Sequence, residues 1–257
     1  MIKVLNILIV LVTLSSCAAS YDIEGTSNIP MLDGRMLYLK VYDNNELKNI
    51  DSCDVVHGQF RFTGVVDSAR LATLFMDDEG LMPVVLESGK IQVNIDHVWP
   101  KASGTPLNDK LTGFMEKYTQ LTRRFGELGR EQSPAIIDGK DMEIVNMRLA
   151  KEADRIAEKE DKLVTSFIVE NFDNVLGPGV FFIMTADNHY PELSPWVEDI
   201  MSKATDKFKN NPYVKDYYEK AVQNQNIMNG MATPDNGNVQ PLPPTTPTPN
   251  ELAEPNK

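Results

Sequence analysis

The chain has 257 residues, 42% hydrophobic, 8% aromatic and 24% charged, the profile of a globular protein with one large domain or two small ones. Acidic residues outnumber basic ones 37 to 25, and the net charge of -12 repels phosphate backbones and anionic head groups, which disfavours nucleic acid as a partner. Two cysteines and three histidines, with no Cys-x-x-Cys pair, leave neither a disulfide framework nor a cysteine-rich zinc module and remove thiol–disulfide catalysis within the chain.

Residues 1–16 combine an early cation, Lys3, with an apolar run over residues 4–14 and two serines, Ser15 and Ser16, the pattern of a secretory signal too short to span a bilayer. The following Leu14-Ser15-Ser16-Cys17 resembles the bacterial lipobox, in which a thiol directly after the cleavage point receives diacylglycerol. That resemblance makes Cys17 the lipid attachment site and the lipid the contact with a membrane. The alternative is a soluble secreted protein in which Cys17 is incidental; a cysteine at the end of the apolar run in a cysteine-poor chain argues against it. Two acyl chains hold a protein stably on a bilayer at about 0.8 kcal/mol per buried methylene. The expected location is the cell envelope, with the outer membrane favoured. Loss of residues 1–16 removes Lys3 and no anion, so 24 cations then face 37 anions.

Residues 17–104 read as strands. Gln59-Phe60-Arg61-Phe62-Thr63 and Ile91-Gln92-Val93-Asn94-Ile95 alternate at period two, and residues 36–42, 71–76 and 82–86 are further apolar or β-branched runs. Turn residues separate them at Asp33-Gly34, Asp43-Asn44-Asn45, Asp77-Asp78-Glu79-Gly80 and Ser88-Gly89. Six or seven strands in about eighty residues predict an antiparallel β-sandwich or partly open barrel.

The period changes at Thr105-Pro106, read as an N-cap and a first helical proline, and residues 105–230 read as helical. Leu107, Leu111, Phe114, Tyr118, Leu121, Phe125 and Leu128 follow at alternating spacings of four and three, a seam along one helix. A second helix faces it through Met142, Val145, Leu149, Ala153, Ile156, Leu163 and Phe167, which predicts an antiparallel hairpin. Gly177-Pro178-Gly179 reads as an interruption before a buried helix over residues 180–184. Ser194-Pro195 and Asn211-Pro212 open helices at roughly 195–209 and 212–228, the last lined inside by Tyr213, Tyr217, Ala221 and Met228. Residues 231–257 hold seven prolines and no aromatic residue, and read as a disordered, partly polyproline-II tail. The fold class expected is therefore α+β: strands, then a helical hairpin and further helices, then the tail.

The segment Ile50-Asp51-Ser52-Cys53-Asp54-Val55-Val56-His57-Gly58-Gln59-Phe60-Arg61-Phe62-Thr63-Gly64 is similar to the signature of DUF4369, a Bacteroidetes family in which an Ile-Asp-Ser strand precedes a Gly-x-Phe-x-Phe-x-Gly strand. Ile23-Glu24-Gly25, Tyr38-Leu39, Val85-Leu86-Glu87-Ser88-Gly89 and Gly104-Thr105-x-x-Asn108 agree with it, and Phe167-Ile168-x-x-Asn171 followed by Gly177 extends the resemblance to about residues 21–185. The resemblance implies an extracytoplasmic lipoprotein domain of the kind that often precedes a thioredoxin-like domain. Here helices and a proline-rich tail stand where that domain would follow, so redox catalysis is not carried over.

No candidate site amounts to a catalytic constellation, and neither an enzyme activity, a cofactor nor a metal is expected. Cys53, the thiol left after lipidation, lies four residues from His57, a spacing that does not join side chains on a strand. It is read as an inert thiol, with contact to a partner's thiol as the alternative. His57, His97 and His189 lack the paired spacing of a zinc site, and Asp77-Asp78-Glu79-Gly80 lacks the alternating carboxylates of a calcium loop. Gly177-Pro178-Gly179 has no lysine or following hydroxyl to make a phosphate loop, and no carboxylate pair stands out for glycoside hydrolysis. Asp67-Ser68-Ala69 resembles the Bacteroidetes O-glycosylation sequon, which makes Ser68 a candidate modification site or simply part of a strand connection. Two functions compete: a non-enzymatic binding or scaffold module in contact with an envelope protein or ligand, and an accessory to thiol–disulfide exchange by a separate thioredoxin-like enzyme.

Overall fold

The computed structural model describes residues 19–43, 46–96, 99–188 and 190–231. Residues 1–16 and Cys17, His97, His189 and the proline-rich tail beyond residue 231 lie outside the described residues.

The first half is a β-sandwich of two four-stranded sheets. In chain order the strands are β1 (Ser20–Ser27), β2 (Met36–Asp43), β3 (Glu46–Asp54), β4 (Gln59–Val65), β5 (Arg70–Met76), β6 (Glu79–Leu86), β7 (Gly89–Ile95) and β8 (Lys101–Ser103). One sheet runs β4-β1-β7-β8 and the other β3-β2-β5-β6. Alternation decides which side chains meet between them: Tyr21, Ile23, Phe60, Phe62, Ile91 and Val93 from the first sheet pack against Leu37, Leu39, Val41, Ala72, Leu74 and Val84 from the second. All pairings are antiparallel except β1 with β7, which run parallel with Ile23 opposite Ile91. Five strands, the whole second sheet and β4, lie between β1 and β7 in the chain, so no hairpin connects the two and they can run parallel. β3 escapes a period-two reading because it is a sheet edge, with seven of its nine residues from Glu46 to Asp54 exposed.

The helices are α1 (Pro106–Arg130), α2 (Gln132–Ile137), α3 (Met142–Glu170), α4 (Leu176–Thr185), α5 (Pro195–Lys203), α6 (Asp206–Lys209) and α7 (Pro212–Met228). They pack on the outer face of the second sheet. Ala69, Leu71 and Val85 have the opposite parity to the sandwich-facing Ala72, Leu74 and Val84, and they join Phe114, Phe167, Ile168, Phe181, Phe208 and Tyr217 in a second core. This is why Val84, Val85 and Leu86 are all buried: β6 is covered on both faces. A third, smaller cluster of Leu128, Ala135, Val145, Leu149 and Ile156 closes the far end of the α1–α3 hairpin.

Several expected details change. Phe125, placed on the hairpin seam by its spacing, is 51% exposed. The expected helix over 195–209 is two, because the chain is extended at Ala204 and the Thr205 hydroxyl caps a new turn by accepting from Phe208 N. Gly177-Pro178-Gly179 does not precede the buried helix but forms its first turn, where a proline costs no hydrogen bond because the first amides of a helix have no partner within it. The glycines serve packing: a β-carbon at Gly177 would collide with the Asn171 carbonyl oxygen, and one at Gly179 would stand 2.8 Å from Leu71 Cδ2. On α7 the inner positions are Val214, Tyr217 and Ala221, whereas Met228 is 74% exposed.

The junction of the sheet and α1 rests on a polar knot. Thr105 holds the N-cap position, but its hydroxyl caps nothing; the Glu87 carboxylate accepts from Leu107 N at 2.8 Å and Asn108 N at 3.1 Å instead. Fully buried Asn108 then pairs with the free edge of β6 as a further strand would: Val85 N donates to its Oδ1 at 2.9 Å, and its Nδ2 donates to Val85 O at 2.7 Å and to Thr105 Oγ1 at 2.9 Å.

Candidate binding cleft

Strand parity and one helical turn place the side chains of an aromatic-walled cleft. In β2, Leu37, Leu39 and Val41 point into the sandwich, so Lys40 and Tyr42 point outward. Leu71 and Thr73 do the same on β5, and Leu47 on β3 borders them. Facing this sheet surface are Pro178, Gly179 and Phe182 of α4 and Asn211, Pro212 and Tyr213 at the start of α7, which Asn211 caps by accepting from Tyr213 N and Val214 N. The space between is a cleft of about 460 Å³, within the range in which ligand pockets occur.

Three rings form its wall. Tyr42 and Phe182 lie 4.8 Å apart between centroids, Phe182 and Tyr213 4.8 Å with planes at 81°, and Tyr42 and Tyr213 5.4 Å at 86°. The Thr185 hydroxyl donates its proton to Phe181 O at 2.7 Å, so at 2.8 Å from Tyr213 it accepts the phenol's proton and fixes that ring. Burial raises the Tyr42 and Tyr213 phenols above their ordinary range, with nearby Asp216 adding to both, which keeps the two hydroxyls neutral at physiological pH. Lys40 and Arg70 bring positive charge to the rim, Lys40 lying 4.4 Å over the Phe75 ring. Asp43 brings negative charge, its carboxyl held below the usual range by the hydrogen bond from Lys48 at 2.7 Å. Aromatic faces and edges, neutral hydroxyls and a mixed-charge rim are equipment for noncovalent recognition.

Of the candidate site residues weighed from sequence, Ser68 belongs here, together with Pro178 and Gly179 of the segment that lacks a phosphate loop's lysine. Ser68 is exposed, in the bend between β4 and β5, at the mouth of the cleft. Cys53 is a free, half-buried thiol that packs against the sandwich core from β3 and is not among the cleft's lining residues. Burial, with the Asp51 and Asp54 carboxylates adding, pushes it up to about 11, against a backbone hydrogen bond from Arg61 that acts the other way. At pH 7 about one Cys53 in ten thousand is thiolate. Alkylation by iodoacetamide is therefore expected to be far slower than for a free thiol at neutral pH and to climb without levelling between about pH 8 and 10; a rate that is half-maximal near pH 8.5 and level by about pH 9.5, read by mass spectrometry, would contradict the raised value. His57 stands with Gly58 at positive φ, 53° and 70°, in the two-residue turn closed by Val56 and Gln59, a conformational position. Asp77 and Asp78 form the tip of the β5–β6 hairpin, and Asp77 pairs with Arg35. Among the described residues no three His, Cys, Asp or Glu side chains group to hold a metal ion, and no helix is long and apolar enough to cross a membrane.

Sequence reasoning passes over Tyr42, Phe182 and Tyr213. Tyr42 carries a signal, its outward parity on an otherwise well-patterned strand; the other two read as ordinary core.

Residues 21–111 match the family model described as Domain of unknown function (DUF4369). No curated protein matches the chain. The DUF4369 match begins with β1 and ends one turn into α1, at Leu111, just past the residues of the polar knot. Val85-Leu86-Glu87 and Thr105-x-x-Asn108, on which the resemblance partly rests, are thus the residues that seal the edge of the sandwich to the first helix. The helices from residue 112 onward, over which the resemblance extends as far as 185, lie beyond the match, and with them two of the cleft's three rings.

Proposed function

We propose that this chain is a lipid-anchored cell-envelope protein, held at the outer membrane through Cys17, that acts by binding rather than catalysis and uses the cleft between the second sheet and α4 and α7. The observation that carries the reading is the wall of Tyr42, Phe182 and Tyr213, rings left half-exposed around a concave space while the neighbouring core aromatics are sealed. Contiguous apolar concavity with a few fixed polar groups is what a binding site requires. The competing role in thiol–disulfide exchange has Cys53 against it, since exchange needs a thiolate and this thiol is held protonated. An O-linked sugar on exposed Ser68 belongs to the same proposal, and an intact mass of the protein from its host without added hexose would remove it.

A photo-reactive p-benzoyl-phenylalanine placed at Leu47, on the cleft rim, tests the binding role in host envelopes. A discrete adduct from Leu47, absent when the same group replaces Phe125 on the distant hairpin, is the expected result; identical patterns from both positions would overturn it. Cys17→Ala is expected to move the protein from washed membranes to the soluble fraction, and a variant that stays membrane-bound would refute the lipid anchor.

A further inference from the structure

We propose that the occupant of this cleft is the chain's own proline-rich segment, residues 241–249, folded back alongside α7. The proposal rests on the reading of the cleft as a binding surface and names what fills it. Proline-rich segments dock on aromatic-lined grooves because their extended helix is already ordered, so little conformational entropy is lost on binding. The ring pairs Tyr42–Tyr213 and Phe182–Tyr213 touch edge to face and together present ring faces and edges to the cleft, and Pro178 and Pro212 extend the apolar lining. The sequence Pro241-Leu242-Pro243-Pro244-Thr245-Thr246-Pro247-Thr248-Pro249 has the matching chemistry. No side chain in residues 236–250 is charged, so none would have to be stripped of water on entering.

The path of the chain fits this occupant. α7 begins in the cleft wall at Pro212 and Tyr213 and runs 17 residues away from it, about 25 Å at 1.5 Å per residue. At its end Gly230, at φ 69°, donates to Ile227 O at 3.0 Å, and Met231 N donates to Asn226 O at 2.9 Å. That paired closure turns the chain off the helix axis. Residues 232–240 in polyproline-II geometry span about 28 Å, at about 3.1 Å each. A segment of that length returning beside α7 is long enough to bring Pro241 to Tyr213, so the proline run can reach the cleft.

The test uses the purified full-length chain with p-benzoyl-phenylalanine at Leu47. Irradiation is expected to give an adduct of monomer mass whose mapped partner lies within residues 238–250, with a yield independent of dilution. The yield should fall several-fold when Pro241→Gly, Pro243→Gly, Pro244→Gly, Pro247→Gly and Pro249→Gly are combined, substitutions that touch no part of the described core. Amide hydrogen exchange across residues 211–215 should be faster in that variant. Adducts that are intermolecular, that map elsewhere, or that persist unchanged in the five-glycine variant would overturn the proposal. If the purified chain gives no tail adduct while envelopes still yield a Leu47 adduct to another molecule, the tail is excluded and the cleft as a binding surface stands.

Discussion

Asn108→Asp is expected to destabilise the protein by about 2–4 kcal/mol at neutral pH in urea unfolding, with much of that loss recovered near pH 4.5. The replacement is almost isosteric, so packing is not the cause. Asn108 is fully buried and serves both polar groups of Val85 at once, accepting from the amide and donating to the carbonyl. A carboxylate keeps the first bond and turns the second into a repulsion, with Glu87 Oε1 a further 3.5 Å contact of the same nitrogen. Burial and these two oxygens raise the folded-state pKa of the introduced acid above its unfolded value of about 3.9. The sign follows: below the unfolded value both states bind the proton and the penalty is absent, and it grows as pH rises from there through the raised folded value. Recovery at low pH is informative because the neutral acid regains a donor for Val85 O. Asn108→Leu, which titrates nothing, should lose stability equally at both pH values. Equal losses for the aspartate variant at both would show that the knot does not close the β6 edge.

That knot marks how far the fold is legible from residues alone. Strands with one wet face, such as β4 and β7, declare themselves by period two, and Ser194 and Asn211 declare their helix starts by side chains that do cap. Residues 82–86 are legible as apolar but not as the strand covered on both sides, because a continuous apolar run has no parity to read. Phe125 illustrates the reverse error: its spacing is right for the seam, yet it stays half-exposed while Leu121 before it and Leu128 after it pack against α3, and spacing alone does not tell which seam position turns away from the partner. Thr105 has a capping residue's identity and position, and a carboxylate 18 positions earlier takes the task. The cleft is the least legible feature. Its rings come from positions 42, 182 and 213, joined only by topology, and the chemistry that sequence does single out, Cys53 and His57, resides in a half-buried strand and a left-handed turn.

Phe181→Ala and Phe182→Ala are expected to part company, although the two residues are adjacent on α4. Successive helical positions differ by about 100°, which here is the difference between core and cleft. Phe181 is fully buried, stacked on Trp196 at 5.8 Å and met edge-on by Phe208 at 5.8 Å and Tyr217 at 5.3 Å. Truncating it leaves a cavity among rings that are themselves held by Trp196 Nε1 donating to Thr165 Oγ1, so the site cannot collapse freely. The expected cost is about 3–5 kcal/mol, or a fall in Tm on the order of 10 °C, with a changed Trp196 emission because its stacking partner is gone. Phe182 is only half-buried and its ring contacts are Tyr42 and Tyr213. Its truncation should cost appreciably less and leave Trp196 emission unchanged, while abolishing the Leu47 adduct. Calorimetry and photo-cross-linking on the two variants separate the roles. Comparable losses of stability, or an adduct that survives Phe182→Ala, would mean that the ring wall belongs to the core and not to a site.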